Sequence, residues 1–223
     1  VSSSAHLLFP SLLFGVQDFG IAFDISVHAG TLAAVIYFFK KDIQRLLQAW
    51  NPLTSYRNKD DFSLGLNLLI ATLPIVVIGL LASDGVESRS SNIDSIAWAN
   101  LVFAGLLYGV FKFSSQSKSL SELTLFAALI IGCFQALAVF PGASRSGMAI
   151  TGALIIGLNL KDTSKFAFLL SIPTILGALV LMLAKGAYSI ALSDMLIMLT
   201  GFIGSALIAF FTALFIARLN ITL

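Results

Sequence analysis

Across 223 residues the chain is 58% hydrophobic and only 11% charged, with a mean hydropathy of +0.97 and a formal net charge of +2. Too few polar side chains remain to cover a soluble domain, which places the chain in a membrane. The small charge lies in short loops rather than a surface stripe and gives nucleic-acid binding little support, while the single Cys133 excludes an intrachain disulfide and a cysteine metal cluster and reads as a small buried apolar residue.

The chain opens at Val1, without a Met and without a signal-peptide pattern, which reads as a truncation. Ser2, Ser3 and Ser4 follow, then His6. Serine is a favoured helix N-cap, so this cluster can simply start a helix; it can also offer hydroxyls to an anion, and the two roles are compatible. Ile21–Phe39 is the first run of spanning length, with Asp24 and His28 four apart as a candidate polar pair for packing or for support of a site. Phe62–Ala82 carries Pro74 as a kink, and Ile96–Phe113 carries Gly105-Leu106-Leu107-Tyr108-Gly109, a small-residue pattern for helix packing. Further spans run over Thr163–Ala184, with Pro173, and Asp194–Ala217.

Between the third and fourth spans lies a different element. Leu123–Phe140 is apolar, Pro141-Gly142 breaks it, and Met148–Leu158 is too short to cross, so the segment reads as a re-entrant helix–break–helix hairpin with Pro141–Ser146 at its tip. Arg145 is the only charged residue between Leu123 and Leu160. A cation at bilayer depth costs at least about 2.5–3.5 kcal/mol, which an anion can offset. Ser144 and Ser146 supply hydroxyls, and Gly142 and Gly147 allow backbone N–H groups to approach a ligand, a set suited to phosphate. The competing reading of Arg145, a pairing with a carboxylate between helices, finds no acid nearby in sequence. Counting Lys and Arg by side favours the hairpin: ten against two if it enters and leaves on one face, eight against four if Leu123–Phe140 crosses.

Ser4 to Gly15 and Ser146 to Gly157 are both eleven residues, and each glycine is followed by a Phe, Phe23 or Phe166, that opens a span. The sequence therefore predicts an all-α integral membrane protein, a polytopic helix bundle with inverted-topology repeats and re-entrant helical hairpins. It forms one membrane domain over 1–223, with repeat one at about 1–39, repeat two at about 123–184, and a last C-terminal helix expected beyond the chain's end. Inverted units of this kind bring broken helices together near the midplane, with their positive N-termini aimed at an anion.

Ser-Ser-Ser-Ala-His near the start, and Pro-Gly-Ala-Ser-Arg-Ser-Gly after Gly132-Cys133-Phe134-Gln135-Ala136, closely resemble the two signature regions of the bacterial undecaprenyl-pyrophosphate phosphatase, or bacitracin-resistance, family. The resemblance implies hydrolysis of undecaprenyl pyrophosphate to undecaprenyl phosphate and inorganic phosphate in the bacterial inner membrane, recycling the carrier lipid for cell-wall synthesis. It matches Ser3 to the nucleophile, His6 to the histidine that assists proton transfer and Arg145 to the phosphate-binding arginine. It also implies a divalent cation, Mg2+ or Ca2+, held by glutamates expected upstream of Val1, and substrate access from the outer face. Ser2, Ser4, Gly142, Ser144, Ser146 and Gly147 complete the expected phosphate-binding set. The expected partners are the polyprenyl pyrophosphate and membrane lipids, with a homodimer left open.

The chemistry agrees with that assignment: Ser3 and His6 are three apart and can share a helix face, and an arginine fork with helix amides can hold phosphoryl oxygens. A transporter or flippase of lipid-linked or small phosphate anions is the second reading, since inverted repeats and midplane charges suit it equally, but transport needs no nucleophile and base. A non-catalytic scaffold leaves Arg145 unexplained. Other membrane lipid phosphatases place His and Asp downstream of their Ser-Arg, and no His follows Ser144-Arg145 here.

Overall fold

The computed structural model describes residues 18–53, 58–81, 93–140, 142–184 and 192–218, with Leu7, Phe9, Ser11 and residues 13–15. Its helices are α1 (Gly20–Phe38), α2 (Lys40–Trp50), α3 (Lys59–Leu81), α4 (Ile93–Phe113), α5 (Leu125–Ala136), α6 (Arg145–Ile156), α7 (Leu160–Ala184) and α8 (Leu192–Arg218). Each of the five expected spans is a helix. Several begin earlier than the apolar run because acidic residues such as Asp60, Asp61, Asp94, Asp162 and Asp194 sit in the first turn, where a carboxylate complements the free amides and the helix dipole. By length and apolarity α3, α4, α7 and α8 can cross a membrane; α1 is apolar and 19 residues long, and α2 leaves its end at a bend of 77°. The protein is a multi-pass membrane protein.

The segment between α4 and α7 is the expected hairpin. α5, extended by a 3-10 turn at Leu137–Val139, and α6 are both too short to cross, and they pack against each other. Its two feet are clasped together: the Lys118 amide donates to the Gly157 carbonyl (2.9 Å), and the Asn159 amide donates to the Lys118 carbonyl (2.8 Å). The Leu120 amide donates to Asp162 Oδ2 at 3.0 Å, and Asn159 Nδ2 donates to the same carboxylate oxygen at 2.9 Å. A chain clasped in this way enters and leaves at one end of the bundle. Buried Asn67 on α3 donates to the Leu123 carbonyl (2.9 Å), supplying a partner for a backbone group that lipid could not satisfy. Gly157, at φ +93, ends α6 in the left-handed conformation that a side chain resists, and Gly15, its counterpart eleven residues after Ser4, has φ +66.

Directions follow from the contacts. Phe39 meets Phe168 at 6.0 Å, and Lys165 pairs with Asp42 at 2.7 Å, so the end of α1 lies at the start of α7 and the two run oppositely, as inverted units require. Gly201 and Phe210 of α8 face Phe23 and Phe38 of α1 in the same order, so α8 runs parallel to α1. Every described Lys and Arg other than Arg145 therefore gathers at one end: Lys40, Lys41, Arg45, Lys59, Lys112, Lys118, Lys161, Lys165 and Arg218. Asp18, Asp94 and Asp194 mark the other end. Arg57, Arg89 and Lys185, used in the sequence count, lie outside the described residues.

Close crossings hold the bundle, since burial against lipid-like neighbours adds little drive within a membrane and packing must supply it. A Cβ on Gly30 would strike Phe202 backbone and Ser205 on α8, and one on Gly132 would strike Ala71 backbone on α3; one on Gly152 would meet Phe134 and Ile131 of α5 at 3.0–3.1 Å. The Gly105–Gly109 pattern behaves otherwise: nothing lies within 4 Å of a Cβ on either glycine, so the packing expected of it is not made within the described residues. Cys133 is exposed rather than buried, because α5 turns that position away from α3 and α6. His28 Nδ1 is 2.6 Å from the Asp24 carbonyl oxygen, so the expected polar pair runs through the backbone.

Gly132→Ala should lower stability by about 1–3 kcal/mol, because its new methyl meets backbone that cannot rotate away. Gly105→Ala, whose new methyl meets no described residue, should be neutral or stabilising. Thermal unfolding of both variants in one detergent reads the contrast.

Candidate active site

Arg145 is the first residue of α6, and its depth can be derived. α6 lies alongside α4, and a Cβ on Gly157 would sit 2.9 Å from Ser115 just beyond the end of α4. Twelve residues back from these points are Arg145 on one helix and Phe103 on the other, about 18 Å up from the clasped feet. Phe103 is the middle residue of α4. The groove between the helices agrees with this register, since it is lined by Asn100, Phe103, Ala104 and Leu107 on one side and Gly142, Ser144, Gly147 and Met148 on the other. The hairpin therefore delivers a helix N-terminus and its arginine to mid-depth.

Local sequence explains why the helix starts there. Ser144 takes an extended conformation (φ −81°, ψ 121°) and its Oγ accepts from the Gly147 amide at 3.1 Å, while the Met148 amide donates to the Ser144 carbonyl at 2.8 Å. The amides of Arg145 and Ser146 have no acceptor among the described residues, so two N–H donors and the positive end of the dipole are presented at mid-depth. Arg145 itself has no ion pair or hydrogen bond there. An unpaired guanidinium beside two unpaired amides, at mid-depth in the bundle, is an arrangement that an oxyanion completes. Ser146 Oγ lies 3.4 Å from Ser144 Oγ, so the two hydroxyls also converge on the start of the helix.

The expected set divides accordingly. Arg145, Ser144 and Ser146 come together at one helix start. Gly147 lines the groove, but its amide is occupied by Ser144, and Gly142 has a structural reason of its own: φ is +96, and a Cβ would stand 2.7 Å from the Ile96 carbonyl oxygen, so the tip turns tightly against α4. Ser2, Ser3, Ser4 and His6 lie outside the described residues. Asn100 was not foreseen; it is an amide in the middle of an apolar span, donating to the Ile96 carbonyl at 3.1 Å and lining the groove beside Ser144. Its signal was legible as an isolated strongly polar side chain within a spanning run. Among the described residues no group of three or more His, Cys, Asp or Glu can hold a metal ion.

Fold and site together define a polytopic membrane protein in which a half-crossing hairpin holds an unpaired cation and free helix amides at mid-depth. The sequence matches the model of the family described as bacitracin resistance protein BacA over residues 1–221, and the chain belongs to that family. It is 45% identical over 175 residues to an undecaprenyl-diphosphatase of Saccharophagus degradans, an alignment covering 78% of this chain and 66%, just under two thirds, of that protein. It is 41% identical over 220 residues to the undecaprenyl-diphosphatase of Alcanivorax borkumensis, covering 98% of this chain and 83% of that protein. The undecaprenyl-diphosphatase of Aliivibrio salmonicida is 39% identical over 220 residues, 97% of this chain and 79% of its own length.

Ser144→Ala should cost about 1 kcal/mol through the lost cap. Gly142→Ala should cost more, about 1–3 kcal/mol, because left-handed strain adds to a backbone clash. Thermal unfolding in detergent should rank them in that order; equal losses would remove the tight turn against α4 as the reason for Gly142.

Proposed function

We propose that this chain hydrolyses undecaprenyl pyrophosphate to undecaprenyl phosphate and inorganic phosphate in the bacterial plasma membrane. This activity recycles the carrier lipid of cell-wall synthesis and confers resistance to bacitracin. The observation that carries the proposal is the unpaired Arg145 at the first turn of a half-crossing helix, within the stretch that resembles the family's second signature region. The undecaprenyl-diphosphatase relatives at 39–45% identity support the same substrate.

In this reading the guanidinium and the amides of Arg145 and Ser146 hold the pyrophosphate oxygens, with the Ser144 and Ser146 hydroxyls beside them. The isoprenoid tail stays in the hydrocarbon around the hairpin. Ser3, assigned by the resemblance, attacks the terminal phosphorus through Oγ while His6 accepts its proton. The bond to the bridging oxygen breaks, undecaprenyl phosphate departs, and water then cleaves the seryl phosphate to release inorganic phosphate. Mid-depth placement weakens competition from bulk water, which strengthens each charge contact in the transition state. The described residues do not fit a divalent-metal site, and no step here depends on one; Mg2+ or Ca2+ enters on the resemblance alone.

Phosphate release from a polyprenyl pyrophosphate by the purified protein in detergent, with and without chelator, is the direct test. Arg145→Lys keeps the charge but loses the planar two-pronged contact, and should lower kcat/KM by at least about tenfold, equivalent to about 1.4 kcal/mol. Near-unchanged kcat/KM would reduce Arg145 to a general counter-charge. Ser3→Ala should abolish release while leaving substrate binding largely intact; substantial residual activity would replace Ser3 with activated water. If no variant or parent releases phosphate while the lipid crosses vesicle membranes, the enzyme reading gives way to a transporter.

A further inference from the structure

The helix α2 has no part in the site, yet it is built for a particular environment. It leaves α1 at 77° through Phe39, so when α1 stands upright in the bilayer α2 lies close to the membrane plane. Ile43, Leu46, Leu47 and Trp50 recur at i, i+3, i+4 and i+7 and form one apolar arc, with Lys40, Lys41, Gln44, Arg45 and Gln48 around the rest. Ile43 and Leu46 pack on the core, and Trp50 stacks on Phe62 at 4.9 Å, which fixes the rotation of the helix. The apolar arc is wider than its protein contact: Leu47 is 67% exposed and Leu53, just beyond the helix, 92%.

The ion pairs fix the helix too. Burial alone would raise the Asp42 carboxyl, but hydrogen bonds and charge from Lys165 and Arg45 outweigh it and hold the group below the ordinary carboxylate value. The α2 carboxylate is thereby neutralised, leaving its lysines as net positive charge. Lys40 stands 4.4 Å over the exposed Tyr37 ring, and Lys41 is exposed with no acceptor among the described residues. Both follow directly on the C-terminus of α1, at the end where the described basic residues gather. The acidic Asp60 and Asp61 start α3, near Phe62 and so toward the far end of α2.

From this geometry we infer that α2 is an in-plane anchor that binds anionic phospholipid headgroups through Lys40 and Lys41 while Leu47, Trp50 and Leu53 enter the acyl boundary of the same leaflet. The charge pattern selects an anionic lipid surface, and the position of the bend sets its depth.

The protein has two tryptophans, Trp50 on α2 and Trp98 at the opposite end on α4. A Trp98→Phe variant makes Trp50 the sole reporter. Reconstituted in phosphatidylcholine vesicles, its fluorescence is quenched by brominated phosphatidylglycerol or, at the same mole fraction, brominated phosphatidylcholine. The anionic quencher should act as though enriched about threefold or more around Trp50. Adding K40Q and K41Q should bring the ratio to about one, and so should about 1 M salt acting on the unaltered lysines, where the screening length falls to about 3 Å. A Trp50→Phe variant, reporting from Trp98, should show no preference. Equal quenching by the two lipids at Trp50, or a preference that survives both the substitutions and the salt, would overturn the inference. Quenching by neither lipid would overturn it as well, since Trp50 would then be covered by protein or lie outside the bilayer.

Discussion

A helix that stops halfway across a membrane leaves its first amides where lipid cannot satisfy them, and most of this structure answers that constraint. The backbone can present donors at mid-depth only inside protein, at a site an anion can complete. α6 begins there because Ser144 caps it and Gly142 permits the turn, and it does so against the middle of α4 rather than against lipid. Arg145 adds a charge whose isolation at that depth costs at least about 2.5–3.5 kcal/mol. In the proposed function a pyrophosphate relieves the amides and the guanidinium together, which makes binding and structural satisfaction one event.

Holding the arginine at that depth needs a rigid hairpin, and the rigidity comes from its feet and sides. The exchange between Lys118, Gly157 and Asn159, with Asp162 holding the Leu120 amide, closes the entry and exit into one anchored point. Asn67 and the crossing at Gly132 tie α5 to α3, and Gly152 lets α6 lie close to α5. None of these residues touches the proposed phosphate. Each sets the height at which α6 starts, and a shift of one helical residue, about 1.5 Å, would matter to a bidentate contact.

Charge asymmetry gives the bundle its orientation and, through α2, a relation to the lipid around it. The end that carries the described lysines and arginines is also where α1 bends into the membrane plane, so the positive charge that sets topology sits beside an apolar arc suited to the acyl boundary. The proposed substrate site and the inferred anchor are thus separated along the bundle axis, one at mid-depth and the other at the surface.

Hydropathy by itself determined the spans, because a run of apolar residues near Phe62, Ile96, Thr163 or Asp194 has no stable alternative to a helix in lipid. It also determined the break at Pro141-Gly142 and the singular position of Arg145, since proline and glycine interrupt a helix and a charge in hydrocarbon stands out. The amphipathic α2 was written in the spacing of Ile43, Leu46, Leu47 and Trp50, but a search for long apolar runs passes over a helix that is mostly polar. Only the tertiary structure decided that the hairpin's feet are clasped at one end, that Asn100 joins Ser144 in the groove, and that Gly105 and Gly109 meet nothing among the described residues while Gly30 and Gly132 make the close crossings. Two glycines on a helix look alike in sequence. Which of them meets a neighbour depends on the rotation of each helix about its axis, and that rotation is set by the whole bundle at once.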